Sequence, residues 1–560
     1  MPQDSKYLGS ARLIAACTLL SRVTGLARDI VLNRAFGQNW VQDAFNYGFL
    51  IPNLFRRLFG EGALSAIFIP TFTDVLDKDG KPAAWTLLGR VLSLMVLILA
   101  SATILLELGA LAVYHFSPGG PMRTLQIGLS SVMLPFMISI CVLALLSSML
   151  NCLGHFTAPA LMPIVLNLLN MFGVLVVGPM LGPRLEQQVY GVAYTVLAAS
   201  VLQLVLILPV LRRQGVRFKW SISTSDERVR HMIRMFIPVV IGQGVLLLSV
   251  FLDSQICTFL TRGPQDPASQ SYFGLHFAYP LHEGALSAVN NAQRLYQFPL
   301  GVLAISLATA AFPMFSLYAS RQDFAGLRGT LGQSLRVALF EGLPSGVVLI
   351  VLAEPIISLL FQHGRFDEHA TRRAAWVLKW YAIGMPAYCC QQILLRGFYS
   401  LKDTLTPMWI GCALVALNLA INVSLVWQPS IGEAAFGIGT AVTSTMHVGV
   451  SIWFLRRRLH GRIGGRMLFA SLVRTLAASS ACAAAAWFAL RWSQGVDLAS
   501  LGRIGARAVR VFGPLASAAA VYLVAARAMR MDEVNWLLPK RHAAVERPLP
   551  MYQENVADPP

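Results

Sequence analysis

Charge is what this sequence has least of. Only 13% of its 560 residues are Asp, Glu, Lys or Arg, where a soluble globular chain carries about 25%. That shortage excludes a protein whose whole surface faces water. Acid is scarcer than base: 27 Asp and Glu stand against 45 Lys and Arg, a formal net charge of +18. In a soluble chain such an excess would point to nucleic acid. No basic stripe interleaved with aromatics is present, so no nucleic-acid partner is expected. Cysteine spacing is missing as a signal. Cys17, Cys141, Cys152, Cys257, Cys412 and Cys482 scatter through apolar runs, and Cys389 and Cys390 are adjacent. None has metal-ligand spacing, and they read as small core residues. The first apolar run lacks a clear cleavage site and carries Arg22 and Arg28, so it reads as a retained helix and not as a secretory signal.

Apolar sequence is abundant. Hydrophobic residues make up 56% of the chain and mean hydropathy is +0.60. They fall in blocks of about 20 or more, the length that crosses a hydrocarbon core of about 30 Å. The expected fold is an all-α polytopic membrane protein, since open strands cannot satisfy their backbone in lipid. About fourteen transmembrane helices are expected, near 8–36, 43–73, 86–115, 124–152, 157–181, 189–212, 229–262, 286–318, 333–362, 373–400, 404–428, 433–457, 467–492 and 506–529. With the N-terminus in the cytoplasm, cytoplasmic segments hold roughly 25 Lys and Arg and outside loops roughly 10, so the positive-inside rule places both termini in the cytoplasm.

The chain echoes itself. Phe68-Ile69-Pro70-Thr71-Phe72 ends span 2, and Ala311-Phe312-Pro313-Met314-Phe315 ends span 8. Asn167 and Asn170 in span 5 correspond to Asn418 and Asn422 in span 11. Both echoes lie six spans apart, which predicts two six-helix lobes in a parallel pseudo-repeat plus two C-terminal helices. The expected divisions are 1–220, 221–460, 461–532 and a polar tail at 533–560. Repeats of this kind place a substrate between the lobes, so the architecture itself points to transport.

Some charges lie where lipid should forbid them. Arg22 lies about 21 Å into span 1, and Arg56 is about as deep in span 2. Arg28, Arg57 and Arg294 are embedded too. A central Arg costs about 2.5–3.5 kcal/mol even on the lenient insertion scale, so these must face a wet cavity or carboxylates. Candidate pairings are Arg57 with Glu61 and Arg22 with Asp29. Asp29, Asp43, Glu61 and Asp253 do not outnumber the arginines. A cationic cavity suits an anion, and the planar guanidinium suits phosphate. Separately, Asp253, Asn418, Asn422 and Thr443 form a possible cation site in the second lobe, because hard cations take oxygen ligands. Amide hydrogen bonding between helices is the plainer reading of the same residues.

The motifs resemble those of one family. They are Ser21-Arg22-Val23-Thr24-Gly25 with Arg28-Asp29, Asp43-Ala44-Phe45, Pro52-Asn53-Leu54-Phe55-Arg56-Arg57 and Glu61-Gly62-Ala63. Arg294-Leu295-Tyr296-Gln297-Phe298-Pro299 and Gly397-Phe398-Tyr399-Ser400 complete the pattern. Together they resemble the MurJ (MviN) lipid II flippases over roughly residues 8–460. The resemblance implies the multidrug/oligosaccharidyl-lipid/polysaccharide exporter fold and a multi-pass place in the bacterial cytoplasmic (inner) membrane. It implies translocation of lipid II, an undecaprenyl-diphosphate-linked disaccharide-pentapeptide, by alternating access, with helices 13 and 14 forming a lipid-tail groove. It assigns substrate binding to Arg22, Arg28, Arg56 and Arg294, with Asp29, Asp43, Asn53, Arg57, Glu61 and Gln293 in support.

The chain departs from the pattern at Gln293, where many relatives carry Asp, and in the long connection from Gly263 to Gly284, which is either an outside lid or, more simply, a loop insertion. Another polyprenyl-diphosphate-linked oligosaccharide is an alternative substrate. A cation-coupled drug exporter is disfavoured by the arginine surplus. No enzyme activity, cofactor or metal is expected beyond coupling to sodium or membrane potential. Expected partners are lipid II, membrane lipids and cell-wall synthesis proteins.

Overall fold

The computed structural model describes residues 2–537 apart from 61–62, 117–119, 217, 224–225, 268, 273–274 and 462. Glu61, one of the expected supporting acids, therefore lies outside the described residues. Fourteen helical rods run through the rest. α1 is Pro2–Phe36. α2 comes in pieces, Trp40–Gly48, Leu50–Phe55 and Ala63–Lys78, with a wide π turn at Arg56–Gly60. α3 is Gly80–Phe116, α4 Pro121–Cys152, α5 Thr157–Leu181 and α6 Leu185–Arg213. α7 is Glu227–Phe259 and α8 is Ala285–Ser320. α9 is Phe324–Val351 continued by Ala353–Phe361, and α10 is Glu368–Ile383 continued by Met385–Ser400. α11 is Leu405–Leu425, α12 Ala435–Arg458, α13 Gly465–Gly495 and α14 Gly502–Ala528. Ten of these rods are long and apolar enough to cross a membrane by length and composition alone. The other four, α1, α2, α7 and α10, carry Arg28, Asp29, Arg57, Asp253 and Tyr381, described below.

The packing repeats at an offset of six helices. α1 packs on α5 and α7 on α11; α2 packs on α4 and α8 on α10; α5 packs on α6 and α11 on α12. α13 and α14 stand outside the repeat, packed on each other and on α9. Buried apolar side chains form three clusters: one from Leu32 to Met232, one from Cys257 to Ile463, and a smaller one joining Phe340 to Ala478–Val534 residues. Val229 and Met232 at the start of α7 belong to the first cluster and Cys257 at its end to the second, so α7 bridges both. Around these cores the outer faces are greasy, with Leu105 68%, Phe469 68% and Trp492 74% exposed, as expected where lipid and not water is the neighbour.

The echoed spans 2 and 8 share a backbone irregularity. α8 has a wide π turn at Gly301–Ile305, matching that of α2. Pro52 precedes one and Pro299 the other. A proline cannot donate to the carbonyl one turn back, and the ladder must shift there. Such turns aim side chains off the regular helical face.

The connection from α7 to α8 holds a two-stranded antiparallel hairpin, Ser269–Tyr272 with Leu275–Ala278, while the expected spans are helical. Its backbone pairs internally, which a hairpin outside the hydrocarbon core can do.

Candidate functional site

One end of the molecule is closed by contacts between the first and second halves of the chain. α1 stops at Gly37 (φ 72°), where a Cβ would meet the Arg365 carbonyl at 2.6 Å, and Gly364 lies in the same way against the Arg34 carbonyl. Only glycine fits such a left-handed turn under another backbone. Asn39 then starts α2, its side-chain oxygen accepting from the Val41 and Gln42 amides. One turn on, Asp43 is fully buried and accepts from the Gly284 and Ser287 amides at 2.7 and 2.8 Å and from the Ser287 hydroxyl at 2.6 Å. It thereby caps the α8 N-terminus, whose free N–H groups favour an anion. Asn46 donates to Ser287, and Asn33 exchanges two 3.0 Å amide bonds with Asn291. This zip from Gly37 to Asn291 was not legible as a unit: its signals are single amides in apolar spans, 258 residues apart for Asn33 and Asn291.

Against the zip lies a cavity of about 120 Å³, lined by Arg28, Asp29, Asn53, Arg57, Gln293 and Arg294 among others. Arg28 donates to Asp29 at 2.7 Å and to Asn167 at 3.2 Å. Asn167 in turn donates to the Ser21 carbonyl and to the Thr24 hydroxyl, clamping α1 to α5. Arg294 reaches Asp29 at 3.5 Å from α8 and is half-exposed. Arg28 and Asp29 are 13% and 16% exposed, enough to present charge to the cavity without lying in bulk water. Among the described lining residues Asp29 is the one carboxylate, and Arg28 and Arg294 both pair with it.

The expected pairing of Arg22 with Asp29 is corrected. Asp29 pairs with its neighbour Arg28 and, across the lobes, with Arg294. Arg22 lies elsewhere, its guanidinium about 3.0 Å from where a Cβ of Gly301 would stand. It faces the π turn of α8, reaching across the same gap but outside the cavity lining. Arg56 turns to Asn53 at 3.1 Å while remaining within electrostatic reach of Arg294. The cavity lining takes Arg57 in place of Arg56, since consecutive residues of a helix point about 100° apart. Gln293 lines the cavity and donates to the Tyr381 hydroxyl at 3.0 Å.

The second cluster gathers as its spacing suggested. Asp253, 5% exposed, accepts from Asn418 at 2.9 Å and from Asn422 at 2.7 Å. Their amide oxygens, Oδ1 of Asn418 and Oδ1 of Asn422, are buried without a partner. Both crowd Gly439, where a Cβ would lie 2.7 Å from the Asn418 oxygen and closer still to that of Asn422. Thr443 spends its proton on the Gly439 carbonyl at 2.8 Å, leaving its oxygen as an acceptor. Buried acceptors normally find donors, so two orphaned amide oxygens beside a carboxylate and a hydroxyl fit an oxygen-liganded cation.

Fourteen rods, a six-helix repeat and a charged cavity between its halves define a transporter of the alternating-lobe type. The fold matches an inward-facing multidrug resistance MATE family transporter of the MOP superfamily, with a TM-score of 0.64 at 15% identity over 80% of this chain and 98% of that one. It also matches a lipid II flippase MurJ in an inward closed conformation, with a TM-score of 0.71 at 20% identity over 92% of this chain and 99% of that one. The pattern of the family described as lipid II flippase MurJ covers residues 32–504, and the chain belongs to that family. A probable lipid II flippase MurJ of Rhizobium meliloti (strain 1021) is 28% identical over 520 residues, 92% of each chain.

Proposed function

We propose that this protein moves lipid II from the inner to the outer leaflet of the bacterial cytoplasmic membrane by alternating access. The observation that carries the reading is the cavity itself, where the guanidinium groups of Arg28 and Arg294 share Asp29 from opposite lobes. A net cation in low dielectric attracts a diphosphate strongly, and guanidinium forks bind its oxygens in pairs. Asp29 holds Arg28 and Arg294 toward each other when no substrate is present, so binding is an exchange of one anion for another. The zip at Asp43 and Asn33 keeps one end shut, and its short polar contacts are of a kind that can break and re-form as the lobes rock. Membership of a transporter family supports a carrier and not a catalyst.

The sugar and peptide of the head group distinguish lipid II from another polyprenyl-diphosphate oligosaccharide, and the diphosphate does not. The test is genetic and biochemical together. Expression of this chain in cells depleted of their own lipid II flippase restores peptidoglycan synthesis and outer-leaflet lipid II. A chain that inserts at normal levels yet restores neither overturns the reading.

Transport is coupled, in this reading, to sodium held by Asp253, Asn418, Asn422 and Thr443. The orphaned amide oxygens support it. Both termini lie in the cytoplasm, as the loop arginines favour. A cysteine at Ser430 then reacts with an impermeant maleimide in intact cells and one at Arg213 does not; the reverse labelling inverts the topology.

A further inference from the structure

A second cavity, which shares no lining residue with the charged one, lies between α3 and α4. It measures about 350 Å³ and is lined by Thr103, Glu107, Leu111 and Tyr114 of α3 and by Ile127 and Ser131 of α4, among others. Steps of four, four and three residues put the α3 members on one stripe of that helix. Thr103 is the last buried residue of α3, and beyond it Leu108 and Leu111 are 57% and 53% exposed. The last three turns of α3 therefore stand clear of the bundle, and the cleft opens toward lipid.

Glu107 is the unusual member of this lining. Arg90, which pairs with Asp226 at the start of α7, and Glu107 are about 25 Å apart along α3. With Arg90 at one boundary of a hydrocarbon core about 30 Å thick, Glu107 falls just inside the other. Among the described residues, none gives its carboxylate a hydrogen bond or an ion pair. Arg123, on the facing helix, is about 12 Å along the axis from Ser131. An ionisable group at this depth without a partner marks a site. The hydroxyls of Ser131 and Tyr114 stand in the same lining and can donate to a phosphodiester oxygen, while the Thr103 hydroxyl is spent on the Leu99 carbonyl at 2.8 Å. An acid, two neutral donors and an apolar floor complement a zwitterionic head group bearing an ammonium, and they repel a purely anionic one.

We propose that the cleft between α3 and α4 holds one phospholipid with a primary ammonium head group, its ammonium on Glu107 and an acyl chain laid along Leu111 and Ile127. With both termini in the cytoplasm this lipid belongs to the outer leaflet. A partner's membrane helix carrying a basic residue is too thick an occupant. One turn of a helix about 10–12 Å across takes up about 400 Å³ or more, and the cleft holds less than that.

The test uses the full purified chain and native mass spectrometry, with an equimolar mixture of phosphatidylethanolamine and phosphatidylglycerol as the probe. The readout is the ratio of ethanolamine-bound to glycerol-bound protein. Lipids held at the basic loops contribute equally to wild type and variants. In Glu107→Gln the ratio falls at least fivefold from the wild-type value. That variant removes a charge from the membrane, so its insertion is no harder. Leu111→Trp fills the cleft, leaves the carboxylate in place and gives the same fall. An unchanged ratio in Glu107→Gln overturns the proposal. So does a fall in Glu107→Gln that Leu111→Trp does not share, which would place the lipid outside the cleft.

Discussion

The two halves of this molecule answer the same architectural position with opposite charge. Where α5 meets α1, Asn167 turns its carbonyl oxygen to the cation Arg28. Where α11 meets α7, Asn418 and Asn422 turn their amide nitrogens to the anion Asp253. Asparagine serves both, since its side chain carries an acceptor and two donors. The first cluster opens on a cavity; the second is sealed. On the proposed reading, one site takes an anionic head group and the other a small cation, and the difference lies in which ion each asparagine faces.

The largest expected effect breaks the cationic half. Arg294→Ala and Arg28→Ala each abolish rescue of flippase-depleted cells while membrane levels stay near normal, because removing Arg eases insertion. Arg28→Lys rescues poorly, keeping charge and losing the fork. Well-expressed alanine variants that support growth would remove these residues from the mechanism. Variants that are instead degraded would mark them as structural partners of Asp29.

The acidic half should break differently. Sodium raises the unfolding midpoint of the purified wild type by a few degrees over potassium, as a ligand bound to the folded state must. Asp253→Asn abolishes that increment. An undiminished sodium effect in Asp253→Asn would exclude the cluster as a cation site.

A smaller effect tests the zip that holds the halves together. Asp43→Asn keeps the shape but loses the charged cap of α8, at about 1–2 kcal/mol, seen as a midpoint lowered by about 1–2 °C in a chain of this size. The smallest concerns His363, in the loop that meets Arg34. Burial, with Arg507 and Arg34 nearby, holds its imidazole below the usual 6.5. The unfolded chain therefore takes up the proton first. Stability from this loop is whole above pH 6.5 and declines as pH falls below it. His363→Gln flattens the difference in unfolding midpoint between pH 7.5 and 5.5; an unchanged difference assigns it to other groups.

Much of this was legible in the primary structure, for reasons that can be stated residue by residue. The rods were readable because burial in lipid demands apolar runs of fixed length. The arginine surplus was readable because Arg22, Arg28, Arg56, Arg57 and Arg294 stand out in such runs. The Asp253 cluster was readable because Asn418 and Asn422 share a face at i,i+4 spacing. The pairing of Arg22 with Asp29 was misread for want of rotation: helical periodicity says which residues share a face, and not what that face meets. Asp43 read as a residue near a span end, and its burial depends on Ser287, 244 positions away.

The sequence by itself therefore determined the solvent this protein lives in, the number of its helices and the sign of its interior charge, since hydropathy and the cost of a buried ion are properties of each segment. Only the tertiary structure decided that Asp29 pairs across the gap with Arg294, that Arg57 and not Arg56 lines the cavity, and that Tyr381 stacks on Tyr296 and takes a hydrogen bond from Gln293. Those facts depend on the rotation of helices against partners hundreds of residues distant, which packing alone sets.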